Sequence, residues 1–272
     1  MKLAVCTPTR GRPLALIGVI MALWRQRAGK DDVRFIVGID DDDEASLDAC
    51  KRLGDEVPIY ASRAPRSTLG AVSNRIIGCA KEADAVVWAT DRAFVITPGW
   101  DAIIAEAVSK FPKRVLWWSC PYDSDCVMPI IPKEWAEAAD YDCSPTIFPF
   151  WFNDTWLQEL DLMVSGGPSL KVQAAYAGQR SLTTQGRDFS FWYKVFAATR
   201  PQRWAHAEKI AARLGNEITM REFLNDHFAK FDAHGQNNSP LFQKRFGDLR
   251  APTPEYIAAK AYAEKLLQDK AA

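Results

Sequence analysis

Three polar clusters interrupt the apolar first half of the sequence, and each stands at the end of an apolar run. Thr7-Pro8-Thr9-Arg10-Gly11-Arg12 brings two hydroxyls, backbone donors and two guanidiniums together. Asp40-Asp41-Asp42-Asp43-Glu44 is a run of carboxylates, and Thr90-Asp91-Arg92 follows the most apolar run of the set. Such carboxylates accept hydrogen bonds from a ribose or a base, or hold a hard divalent cation that neutralises a diphosphate. The acidic run lacks the Gly and the spaced Glu of an EF-hand calcium loop. Neither G-x-G-x-x-G nor G-x-x-x-x-G-K-[ST] occurs, which argues against a dinucleotide dehydrogenase and a P-loop kinase. A diphosphate bound without a glycine cradle needs a metal or arginines.

These clusters must be held by the elements around them. Lys2 to Thr7 reads as a strand stopped at Pro8, followed by a helix from Pro13 to about Gln26 that is apolar on nearly every side and so expected to be buried. Val33 to Ile39, Val57 to Ala61, Ala85 to Ala89, Val115 to Cys120 and Met128 to Ile131 read as further strands, with Phe148 to Phe152 as the expected partner of the last. Helices are expected from Leu69 to Lys81, Asp101 to Lys110 and Asp154 to Met163. This alternation is the pattern of a sheet built from βαβ units. In open α/β sheets ligands bind beyond the carboxyl ends of the strands, so the three clusters would face one crevice. After residue 164 the texture changes: Ser165 to Pro168 is a loop, Ala174 to Asp188 lacks clear periodicity, and from Phe189 the pattern is helical, broken at Pro201, at His234 to Pro240 and at Pro252. The expectation is a core over residues 1–164 and a mainly helical extension and lid over 165–272.

Composition agrees with an ordinary globular chain. Of 272 residues, 48% are hydrophobic and 25% charged, and 34 Lys and Arg balance 34 Asp and Glu, so no polyanionic partner is demanded by the total. The 10 Trp supply flat faces for a core, a base or a sugar. The six cysteines (Cys6, Cys50, Cys79, Cys120, Cys126, Cys143) form no C-x-x-C pair, and no signal peptide is evident, so reduced thiols in a cytoplasmic protein are expected. The longest apolar run, Leu14 to Trp24, is shorter than the roughly 18 residues of a membrane span.

Residues 2 to 164 resemble glycosyltransferase family 2, of the A-type (GT-A) fold: a mostly parallel central sheet flanked by helices, here with a helical C-terminal extension. The resemblance is carried by Thr7-Pro8-Thr9-Arg10 after the first strand, Asp40 after the second, Gly70 and Asn74 on the next helix, Ala89-Thr90-Asp91 after a buried strand, and Thr97-Pro98-Gly99-Trp100-Asp101 downstream. It implies an inverting transfer from a nucleoside-diphosphate sugar, with a UDP-sugar as the expected donor. Thr7, Pro8, Thr9, Arg10, Arg12, Asp40, Asp42, Asn74 and Thr90 would hold that donor. Asp91, joined by the late His234, would hold Mn²⁺ or Mg²⁺. Asp154, at the start of a helix in Phe150-Trp151-Phe152-Asn153-Asp154, would be the base, with the aromatics around it as a sugar-stacking wall. The acidic motif is reduced to one aspartate, with Ala93 at the second D-x-D position. Asp154 reads equally as a helix-capping residue.

The acceptor is not written in the sequence. A stand-alone chain with a Thr-Pro-Gly-Trp-Asp turn is similar to phage-borne glycosyltransferases, some of which glycosylate hydroxymethylated pyrimidines in DNA, and the arginines at 10, 12, 63, 66, 75, 180, 187, 200, 203, 245 and 250 could supply a basic face. Glycan and lipid-linked acceptors remain open, the lipid case weakened by the lack of a span. Arg180 and Arg187 could clamp a phosphate. Two rivals stand beside this reading: a nucleotidyltransferase, for which Thr9-Arg10-Gly11-Arg12 is a poor match to a Gly-rich, Lys-bearing loop, and a non-catalytic sugar- or nucleic-acid-binding module with an eroded metal motif.

Overall fold

In the computed structural model, residues 1–120, 126–149, 152–178, 188–218 and 253–269 are described, with 224, 226 and 228–230 besides. The apolar run after Lys2 becomes β1 (Lys2–Pro8), fully buried from Leu3 to Cys6. β2 (Asp32–Asp40) pairs with it in parallel, and β3 (Ile59–Ala64) pairs in parallel with β2. The chain then returns to the opposite side of β1 with β4 (Ala85–Trp88), again parallel. The strand order therefore reverses at β1, and the gap beyond the ends of β1 and β4 is a topological switch point.

The rest of the sheet is mixed. β5 (Ala93–Val95), β6 (Leu116–Ser119), β7 (Pro129–Pro132) and β8 (Leu170–Gly178) complete the order β3-β2-β1-β4-β7-β6-β8-β5. β7 runs antiparallel to both β4 and β6, β8 parallel to β6, and β5 antiparallel to β8.

Helices cover this sheet. α1 (Pro13–Gln26) buries Leu16, Val19, Ile20 and Leu23, each worth about 1.5–3 kcal/mol on burial. It packs on α2 (Glu44–Leu53) and β5, while α3 (Leu69–Gly78) lies on β1 and β2. α4 (Trp100–Lys110), α5 (Lys133–Ala138), α6 (Asn153–Ser165), α7 (Phe189–Ala198), α8 (Arg200–Leu214) and α9 (Pro254–Asp269) follow. Where α6 meets α8, Arg203 and Glu159 form a fully buried ion pair, Nε to Oε2 2.6 Å. Removing one partner of such a pair costs about 3–5 kcal/mol.

Several expectations are corrected. Residues 148 and 149 are not a strand: β7 already has β4 and β6 as neighbours, and the Phe148 ring packs inward on Trp192 and Phe196 of α7. α2 occupies the stretch between the acidic run and β3, where no helix was expected. β8 continues the sheet past residue 164, through Ala174, where no periodicity was evident. α1 is not buried all round, since Leu14 is 83% exposed. The break expected at Pro201 is present: α7 ends at Ala198 and α8 starts at Arg200, with Pro201 in its first turn, where the missing N–H costs nothing. The breaks expected at His234 to Pro240 and at Pro252 lie outside the described residues.

Candidate functional site

Strand register alone aligns the first and third clusters. β1 and β4 pair with Cys6 opposite Trp88, so three residues on Thr9 comes level with Asp91. Likewise Pro8 opposite Gly38 brings Arg10 level with Asp40. The side chains complete what the register begins. Thr9 Oγ1 donates to Asp91 Oδ2 at 2.9 Å, and Arg12 Nη1 lies 2.8 Å from Asp91 Oδ1. Arg10 Nη1 donates to Asp40 Oδ2 at 2.5 Å, and its two terminal nitrogens grip Asp42 at 2.7 Å each. Asp91 is 3% exposed and Asp40 7%. Burial pushes the Asp91 carboxyl above the usual carboxylate range, opposed by Arg12, Thr9 and Arg92. Arg10 holds the exposed Asp42 below that range.

A further residue closes the turn after β1. Asp43 caps α2, accepting from Ser46 N at 3.2 Å, and also accepts from Gly11 N at 2.6 Å. It ties the first cluster to the second. The acidic run was legible; this clasp was not, although Asp43 three residues before Ser46 is the spacing of an N-cap. Thr7 is fully buried at the end of β1, and its hydroxyl has no hydrogen-bond partner among the described residues. Pro8 ends the strand opposite Gly38, and Thr90, half-buried, accepts from Ala93 N through its carbonyl at 3.1 Å.

Asn74 makes no hydrogen bond to Asp40 or Asp91. Its amide nitrogen donates to Asp142 Oδ1 at 2.6 Å and Ser144 O at 2.8 Å, while its oxygen accepts from Cys143 N and Ser144 N. Its polar atoms thus hold the 142–144 loop. That loop runs on across the N-terminus of α3: Thr68 Oγ1 donates to Thr146 O at 2.8 Å and Leu69 N to Pro149 O at 3.1 Å. Gly70 permits this approach, since a Cβ there would lie 2.1 Å from Pro145 O. α3 begins where β3 ends, so the loop brings the start of α6 to the carboxyl edge of the sheet. Asp154 is the second residue of α6, with Oδ1 accepting from Thr155 N at 2.8 Å; the capping position is Phe152.

The described aromatics near Asp154 form core rather than a sugar wall. Phe148, Phe152 and Trp156 are 0%, 7% and 8% exposed, and Phe152 stacks on Phe196 with centroids 4.7 Å apart. Their partners come from α7, which the sequence could not bring near. Phe150, Trp151, Arg180, Arg187 and His234 lie outside the described residues. The Thr97-to-Asp101 turn is scaffold: Asp101 accepts from Ala28 N and Gly29 N, Trp100 Nε1 donates to Leu23 O, and Thr97 Oγ1 accepts from Ala175 N.

The described residues do not fit a divalent cation held by the protein. Both oxygens of Asp91 are engaged, and no three His, Cys, Asp or Glu side chains converge among them. No described helix is long and apolar enough to cross a membrane, and no disulfide joins any two of the six cysteines.

No family model and no curated protein matches the chain. Solved structures do. The mannosyltransferase PcManGT from Pyrobaculum calidifontis, in complex with GDP-Man and Mn²⁺, superposes with a TM-score of 0.56 at 12% identity, over 99% of this chain and 79% of that one. S. aureus TarS 1-349 in complex with UDP gives 0.58 at 16%, over 99% and 88%. Glucosyl-3-phosphoglycerate synthase from Mycobacterium tuberculosis, with Mn²⁺, UDP and phosphoglyceric acid, gives 0.50 at 12%, over 80% of each chain. The chain has the A-type glycosyltransferase fold of these structures, a curled eight-stranded sheet flanked by helices.

Proposed function

We propose that the chain transfers a sugar, with inversion, from a nucleoside-diphosphate sugar to an acceptor hydroxyl. The observation that carries this reading is the junction of three strand ends in one crevice, where Thr9 meets Asp91 and Arg10 meets Asp40. Structures of the same fold hold UDP, or GDP-Man with Mn²⁺, which supports a nucleotide-sugar donor, a UDP-sugar first among them. Asp40 offers a carboxylate to the nucleoside, with Thr7 buried behind it at the end of β1, and Arg10 and Arg12 would meet the phosphates.

Asp154 is the proposed base. It takes the acceptor hydroxyl's proton as that oxygen attacks the anomeric carbon, and the bond from that carbon to the diphosphate oxygen breaks, its electron pair leaving on the nucleoside diphosphate. The cationic side chains at the crevice stabilise the departing charge. No step is assigned to a metal, because Asp91 is already engaged. Glycan hydroxyls and hydroxymethylated pyrimidines in DNA are the proposed acceptor classes. Against a wide basic face for DNA, Arg10, Arg12, Arg63 and Arg66 are each paired with a carboxylate.

Incubation with a panel of nucleotide sugars, with and without Mn²⁺, tests the reading. Release of nucleoside diphosphate that is lost in Asp91→Asn supports it. Pyrophosphate release from nucleoside triphosphates favours a nucleotidyltransferase instead, and tight binding without turnover favours a binding module. A mobility shift of hydroxymethylated but not plain DNA selects the nucleic-acid acceptor.

A further inference from the structure

The position where a bridging cation would meet Asp91 is held by a side chain of the protein. Gly11, at φ +62°, turns the chain at the end of β1, and Arg12 then folds its guanidinium back over Asp91. The pair is asymmetric: the Arg12 side chain is 38% exposed and that of Asp91 4%. The positive half is open to solvent and the negative half is buried. Arg12 meets the carboxylate through Nη1, and its Nε donates to Arg10 O at 3.4 Å. The guanidinium is therefore anchored on one side, which leaves Nη2 for a ligand. Thr9 holds the other oxygen of Asp91, so the anchor is fixed from both sides. A cation binding Asp91 would either displace Arg12 or place a second positive charge beside it.

A guanidinium so held suits a diphosphate. It is planar, permanently charged and presents paired donors that match two phosphate oxygens. We propose that Arg12, anchored on Asp91, supplies the positive charge that meets the diphosphate of the donor, so that donor binding does not depend on a divalent cation. This rests on the nucleotide-sugar reading above. Arg12 keeps its proton throughout and forms no covalent bond; its part is to balance the charge left on the departing nucleoside diphosphate.

Calorimetric titration of the full chain with UDP, GDP, UMP and GMP, in EDTA and then in MnCl₂, tests it, with Arg12→Gln and Arg12→Lys as variants and thermal melts to confirm folding. The expected result has two parts. The wild type binds UDP or GDP in EDTA with an affinity less than about tenfold below that in Mn²⁺, and Arg12→Gln weakens the diphosphate by about tenfold or more without a matching loss for the monophosphate. Arg12→Lys retains part of the affinity as a point charge. Diphosphate binding that is tenfold or more tighter with Mn²⁺ overturns the proposal while leaving sugar transfer intact, as does an Arg12→Gln loss equal for mono- and diphosphates. Because the comparison of EDTA with Mn²⁺ uses the wild type, a variant that fails to fold does not remove the test. Absence of binding by every nucleotide in both buffers overturns the transfer reading itself, and this proposal with it.

Discussion

The hydroxyl of Thr9 donates to the carboxylate of Asp91 at 2.9 Å, joining the ends of two parallel strands that are 82 residues apart in sequence. Both side chains are nearly closed to solvent. The bond is thus part of the frame that holds the two strand ends together. Thr9→Val keeps the shape and deletes the donor, leaving a buried carboxylate oxygen without its partner. The expected loss is about 1–3 kcal/mol of stability in urea unfolding, with Thr9→Ser close to wild type. A Val variant as stable as the wild type would show that the carboxylate finds a substitute donor there.

Gly70→Ala tests how the proposed acceptor side is assembled. The added carbon would lie 2.1 Å from Pro145 O and 3.0 Å from Asn153 Oδ1, so the loop ahead of α6 must move. Overpacking of this kind costs about 1–3 kcal/mol, and Asp154 should shift with the loop. Both a lower melting temperature and slower transfer are expected. A variant with unchanged melting and unchanged turnover would mean that α3 and the 145–153 segment do not depend on this contact.

Asp154→Asn separates the two roles the sequence left open. The amide can still meet the first turn of α6 but cannot take a proton. Transfer should fall by about 10²–10⁴-fold while nucleoside diphosphate binding is unchanged. Unaltered turnover would assign Asp154 to the helix start alone.

Asp140 links α8 to the end of α5. It accepts from Arg213 and Lys209, and these bonds hold its pKa down to about 2 from 3.8. A folded-state pKa below the unfolded one gives stability that is fully present above the unfolded value and is lost as the pH falls through the folded one. Melting temperatures of wild type and Asp140→Asn, followed from pH 5 downward, should differ above about pH 4 and converge near pH 2. Parallel curves through that range would remove this pair from the acid response.

Much of the frame was legible because it is local. The apolar runs of β1, β2 and β4 carry their own burial pattern, and Pro13 marks the start of α1 by its fixed φ. α2 was also written locally, in Asp43 and Ser46, but the acidic run masked it as a solvated strand end. β8 had no such signal. Leu170–Gly178 becomes a strand because β6 and β5 flank it and complete its backbone hydrogen bonds, which no window of sequence contains. Asn74 shows the same limit at the site. Its residue type suited a donor contact, and only the fold shows that its amide already holds the 142–144 loop.

What the sequence determined by itself is that three polar clusters end three apolar strands, and hence that hydroxyls, arginines and carboxylates gather at one edge of a sheet. Tertiary structure alone decided how those charges pair: Arg10 with Asp40 and Asp42, Arg12 with Asp91, Asp43 with the backbone of Gly11. The reason is physical. Burial and periodicity act along the chain and can be read there, whereas Coulombic pairing depends on distances across strands, which strand register and the turn at Gly11 set only once the sheet has formed.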